Sequence, residues 1–186
     1  MRDVKADVLI VGMGIGGAAM AEALTRDGLS VICIDRRGPL QGSTAATTAL
    51  VQFEIDQPLT KLSKMIGGAA AGQAWRRSRL ALFNLQGRIA ELGIRCSQVS
   101  APSLYLAGTT LDPTDLRKEA EARRRTGIGA SFLTRGRLRD EFGIDRGGAP
   151  FSATIIWRLI RENLVQACCW PRSTERRVST LQPRRW

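Results

Sequence analysis

At 186 residues, with 44% hydrophobic and 24% charged side chains, the chain has the size and composition of one globular domain, or of one domain and part of a second. No apolar run approaches the about 20 residues of a membrane-spanning helix, and the absence of histidine removes the commonest general base near neutral pH. Without it no Ser–His or Cys–His pair can form, which argues against hydrolase chemistry; the net charge of +11 raises nucleic acid or a membrane surface as partners, but no aromatics interleave the basic clusters to stack bases.

The chain opens MRDVKADVLIVGMGIGGAAMAEAL. Arg2 and Lys5 precede an apolar stretch, but Asp3 and Asp7 interrupt the basic region and Glu22 the apolar one, so the start does not read as a secretory signal and the protein is expected in the cytoplasm. Val8-Leu9-Ile10-Val11 is a short apolar run rich in β-branched residues, the pattern of a parallel strand covered on both faces. Gly12, Gly14 and Gly17 follow in G-x-G-x-x-G spacing, with Ile15 and Gly16 between them, and an alanine-rich helix is predicted from about Gly16 to Arg26. Asp27-Gly28 stops it, and Ser30–Ile34 reads as a second buried strand ending at Asp35.

Each residue type has a physical reason. Gly12 allows a tight turn out of the strand, Gly14 lets the backbone approach a pyrophosphate at the helix N-terminus, and Gly17 lets helix and strand pack closely. Asp35 falls 18 residues after Gly17, where a carboxylate can accept from adenosine ribose hydroxyls. The register of strand, turn, helix, strand and acid predicts a dinucleotide site. Asp35 suits NAD or FAD, whereas Arg36 and Arg37 suit the 2′-phosphate of NADP, which Asp35 would repel.

Next comes RRGPLQGSTAATTALVQFEIDQPLTKL. Together with the first 35 residues, it resembles the D-amino-acid oxidase and glycine oxidase-like family of FAD-dependent oxidoreductases. In that family a second loop of Gly, Ser and Thr opens a helix against the flavin side of the cofactor. Gly42, Ser43, Thr44, Thr47 and Thr48 stand at the matching positions, and the resemblance implies that they reach pyrophosphate and ribityl oxygens. The chain departs from the family in having Ala45 and Ala46 where an arginine is frequent, and Asp35 where Glu is usual.

Further along, Gln73–Leu92 carries Trp75, Leu80, Leu82, Phe83, Leu85, Ile89 and Leu92 at three- and four-residue spacing, which predicts a helix with its aromatics in the core. The resemblance continues to about residue 155 and implies a strand at Ser103–Leu106 of an antiparallel sheet, with Tyr105 as a strand residue. Two helices follow: Asp112 is a candidate N-cap before Pro113, and Thr134 caps a shorter helix that stops near Gly143. Arg123-Arg124-Arg125 is expected on a solvated helix face.

The four cysteines, Cys33, Cys96, Cys168 and Cys169, have no zinc or redox spacing and read as free thiols, with no metal site. The last stretch, WRLIRENLVQACCWPRSTERRVSTLQPRRW, sets seven arginines against Glu162 and Glu175 and holds three of the four tryptophans. So abrupt a change of composition is what a shifted reading frame or a truncation would produce, and strands near 100–106 are then expected to lack partners. A genuine basic tail is the other reading.

The resemblance thus implies an α/β, Rossmann-like FAD-binding domain of the GR2-type flavoprotein class with the start of an antiparallel-sheet substrate domain. Residues 1–95 would be the cofactor-binding part, 96–156 the opening of the substrate domain and 157–186 an aberrant basic tail. The implied activity is oxidation of an amine or amino acid (CH–NH) by hydride transfer to flavin, this chain being an N-terminal half. An NAD(P)-dependent dehydrogenase and a non-catalytic fragment are the alternatives. No catalytic residue is assigned; the implied partner is a small amine or amino-acid substrate, with no nucleic acid and no membrane span.

Overall fold

The computed structural model describes residues 5–37, 39, 41–48, 50–94, 96, 100–147, 149–158 and 178–181. These divide into two compact units. The first holds the described residues up to 48, residues 89–94 and 96, and residues 178–181; the second holds residues 50–88 and 100–158.

In the first unit β1 (Val8–Val11), α1 (Ile15–Arg26) and β2 (Val31–Ile34) follow in chain order. β1 and β2 are parallel, with Val8 opposite Val31 and Val11 opposite Ile34. Parallel strands need a crossover between them, and α1 supplies it. Gly12 takes φ +109, a left-handed turn that glycine adopts without steric cost, and its N–H donates to Ile34 O at 2.8 Å. Met13, Ala21, Val31 and Cys33 form the core, with Val8, Ile10 and Leu24 packed against it.

The two faces of β1 differ from the sequence expectation. Val8 and Ile10 turn inward, but Leu9 is 59% and Val11 77% exposed, so the strand is covered on one face only. The cause is the two-residue period of a strand: α1 covers one side, and no described residue covers the other.

The tail contributes β7 (Val178–Leu181), which pairs parallel to β2 on the edge away from β1, giving the sheet order β1-β2-β7. Cys168, Cys169, Trp170 and Trp186 lie outside the described residues.

The second unit is built on an antiparallel sheet. Its central strand β6 (Ala149–Arg158) pairs with β3 (Leu50–Val51), β4 (Ser100–Leu104) and β5 (Ser131–Leu133). The strand near residue 100 therefore has a partner, contrary to expectation: Ser100 faces Trp157 and Leu104 faces Phe151. β4 starts earlier than predicted and ends before Tyr105.

Four helices complete this part of the chain. They are α3 (Leu59–Ile66), α4 (Gly68–Glu91), α5 (Pro113–Arg125) and α6 (Arg135–Phe142). Asp112 caps α5 by accepting from Asp115 N at 2.8 Å, and Pro113 sits in the first turn, as predicted. Thr134 caps α6, and left-handed Gly143 closes it. Phe53, Leu59, Ala71, Trp75, Leu82 and Ile128 form the main core, with Phe53 edge-on to Trp75 at 6.0 Å between ring centroids.

Candidate cofactor site

The short helix α2 (Ser43–Ala46) brings the second Gly/Ser/Thr loop to the glycine turn of β1–α1. Thr44 Oγ1 accepts from Ile15 N at 3.1 Å, across 29 residues. This satisfies one of the unpaired N–H groups of α1, whose N-cap, Gly14, has no side chain to do so. The N–H groups of Gly16 and Gly17 have no acceptor within the helix, so the helix N-terminus keeps donors for an anion, and no acidic residue stands in its first turn.

Both inner glycines are there for clearance. A Cβ on Gly14 would lie 3.1 Å from Thr44 Oγ1, tightening the point where Thr44 meets the glycine turn. A Cβ on Gly17 would collide with the carbonyl oxygen of Gly12, so any larger residue must push helix and turn apart. Gly16 meets nothing within 4 Å, and its lack of a side chain leaves open space.

Asp35 follows directly on β2. Its Oδ2 accepts from Met13 N at 2.8 Å and its Oδ1 from Arg37 N at 2.9 Å. The carboxylate thus stitches the glycine turn to the end of β2. Arg36 is exposed, and a Cβ on Gly42 would come 3.3 Å from Arg37 Nη2. Thr44 is 8% exposed, and no hydrogen bond donated by its hydroxyl is present among the described residues. Ser43, Thr47 and Thr48 are exposed further along the loop.

The fold thus brings Gly12, Gly14, Ile15, Gly16, Gly17, Asp35 and Thr44 together. These residues fit a dinucleotide: backbone donors for the pyrophosphate, a carboxylate for the ribose, and cleared space between them. Cys33, in the core under the turn, has its thiol pushed up by burial. Among the described residues no group of His, Cys, Asp or Glu could hold a metal ion.

A parallel strand–turn–helix–strand with this cradle is the pattern of a dinucleotide-binding turn. The chain belongs to the FAD-dependent oxidoreductase family, whose model matches residues 7–158. Among curated proteins it is 28% identical over 127 residues to YhfW of Bacillus subtilis (strain 168), named as a Rieske 2Fe-2S iron–sulfur protein, covering 68% of this chain and 25% of that one. Among solved structures, glycine oxidase from Geobacillus kaustophilus superimposes with a TM-score of 0.70 at 20% identity, over 95% of this chain and 46% of that one. L-Proline dehydrogenase from P. horikoshii gives 0.72 at 15% identity, over 96% and 44%. The chain spans about a quarter of the curated relative and a little under half of these structures. The family is FAD-dependent, which decides the cofactor in favour of FAD over NAD or NADP.

A second polar cluster, in the other unit, escaped the sequence reading. Arg123 was expected on a solvated face but is 1% exposed. Its Nε donates to Glu119 Oε1 at 2.8 Å and its Nη1 to Glu54 Oε1 at 2.7 Å, while its guanidinium lies 4.6 Å from the Trp75 ring centroid and 5.9 Å from that of Tyr105. Ser103 Oγ also donates to Glu54 Oε1. The signal was present in the spacing: Leu116, Glu119, Ala120 and Arg123 repeat at i, i+3, i+4 and i+7, the buried face of α5, whereas Arg124 and Arg125 point outward.

Proposed function

We propose that this chain carries the ADP-binding part of an FAD-dependent oxidoreductase that oxidises the CH–NH group of an amine or amino acid in the cytoplasm. The observation that carries the reading is the double stitch of the cradle, Thr44 Oγ1 to Ile15 N and Asp35 Oδ2 to Met13 N, which fixes the glycine turn against the second loop and the end of β2. Glycine oxidase and L-proline dehydrogenase among the structural neighbours support the substrate class.

When bound, the flavin supplies the hydride acceptance, and the protein binds and orients it. In this reading Gly12, Gly14, Ile15, Gly16 and Gly17 offer backbone donors and clearance to the pyrophosphate. Asp35 accepts from the adenosine ribose with Arg36 beside it. Gly42, Ser43, Thr44, Thr47 and Thr48 form the wall toward the pyrophosphate and ribityl oxygens. Residues 1–95 serve as the cofactor-binding part and 96–156, with the antiparallel sheet, as the opening of the substrate domain.

The test is expression with excess FAD, an absorbance spectrum of the desalted protein, and then bleaching of the flavin bands by glycine, proline and simple amines without oxygen. Retained flavin that Asp35→Ala loses supports the reading. A colourless protein that binds NADH or NADPH instead would overturn it.

A further inference from the structure

One segment stands apart in both charge and exposure. From Gln57 to Ala90 the chain has no carboxylate in 34 residues, against six cations: Lys61, Lys64, Arg76, Arg77, Arg79 and Arg88. The same segment leaves large apolar side chains in water, with Met65 68%, Ile66 51%, Leu80 58% and Phe83 39% exposed. Elsewhere in the second unit several exposed arginines are paired with carboxylates, as in Arg124–Glu121, Arg135–Asp145 and Arg137–Glu141.

α4 sorts these residues by face. Ala71, Trp75, Leu82 and Ile89 are buried. Ala69, Gln73, Arg76, Leu80, Phe83 and Gly87 recur at alternating four- and three-residue spacing, and all are exposed. Arg77 and Asn84 border this strip, and Arg79 lies over the Phe83 ring at 5.4 Å. Neither Arg76 nor Arg77 has a carboxylate partner among the described residues. The helix thus packs one face on the core and offers water a second one, both apolar and uniformly positive.

We propose that this face of α4 docks the protein on an anionic phospholipid surface, with Leu80 and Phe83 entering the headgroup–acyl boundary and Arg76 and Arg77 at the phosphates. Charge complementarity selects the occupant. A second copy would set the same arginines against each other, and a nucleic acid would leave Leu80 in water. An anionic leaflet takes both kinds of side chain and needs no matching shape. The proposal does not rest on the oxidase reading, because it concerns the outer face of α4 and not the cofactor cradle.

The experiment is co-sedimentation of the full chain with vesicles of phosphatidylcholine alone or with phosphatidylglycerol added, at low and high salt. Binding is expected to the anionic vesicles only and to weaken with salt. Arg76→Gln/Arg77→Gln is expected to weaken it about 25-fold, from about fivefold per cation at an anionic surface, and Leu80→Ser/Phe83→Ser at least as much. The charge-matched Arg135→Gln/Arg137→Gln should bind like the parent. On the unaltered chain, hydrogen exchange should show vesicle-induced protection across 73–87. No binding to anionic vesicles at low salt, equal loss in the control pair, or protection confined to other segments overturns the proposal. So does tighter association with polyglutamate than with the vesicles, which would give the face to an acidic protein.

Discussion

Glu119 closes the N-terminus of α3 from the middle of α5: its Oε2 accepts from both N and Oγ1 of Thr60, at 2.8 and 2.7 Å. Its Oε1 accepts from Leu59 N and from Arg123 Nε, each at 2.8 Å. The N-cap of α3, Pro58, offers no side-chain acceptor, so this distant carboxylate does the capping. Glu119→Ala would leave a buried guanidinium with Glu54 as its remaining partner and two helix N–H groups without acceptors. A loss of about 3–5 kcal/mol is expected, read from urea denaturation followed by circular dichroism. A loss below about 1 kcal/mol would contradict the buried arrangement.

The same carboxylate sets an acid limit. Burial pushes the Glu119 carboxyl up, but hydrogen bonds from Thr60 and Arg123 outweigh it and hold the group below its ordinary value. A carboxyl lowered on folding contributes stability above the ordinary carboxylate range, and that contribution is lost as pH falls through the lowered value. Denaturation midpoints of the parent and Glu119→Gln, measured from pH 7 down to pH 3, should therefore converge as the pH falls below about 4. A gap that stays constant would remove Glu119 from the account.

Gly17→Ala tests the turn. The new Cβ meets the carbonyl oxygen of Gly12, a backbone atom that cannot swing aside, so α1 must move. Destabilisation of about 1–3 kcal/mol and loss of retained flavin are expected together. Gly16→Ala, which meets nothing within 4 Å, should keep its stability within about 0.5 kcal/mol and serves as the control.

Thr44→Val removes the acceptor for Ile15 N and the O–H while nearly conserving shape. FAD affinity should fall by about three- to tenfold, the worth of about one hydrogen bond, as measured by fluorescence titration of the apoprotein. Thr44→Ser should restore most of it. An unchanged affinity in Thr44→Val would separate this loop from the cofactor.

The glycine turn was legible because its requirements are local: a turn, a close approach and an acid at one strand end all fall within 35 residues. The caps at Asp112 and Thr134 were legible for the same reason. The partner of the strand near 100 was not, since a strand's local pattern does not say that residues 149–158 lie alongside it. Leu9 and Val11 misled because an apolar run shows no difference between faces, and only the packed fold does. Arg123 misled in the opposite way. It sits in a run of three arginines that looks like surface charge, and only its position seven residues after Leu116 separates it from its neighbours.

The reach from Thr60 to Glu119 also has a consequence in time. The chain is made from its N-terminus, so α3 emerges with its first turn open and stays so until 59 further residues have been added. At about 5–20 residues per second that interval lasts about 3–12 s. For those seconds the start of α3 must be kept wet or held by something else, and the middle of α5 decides when it settles.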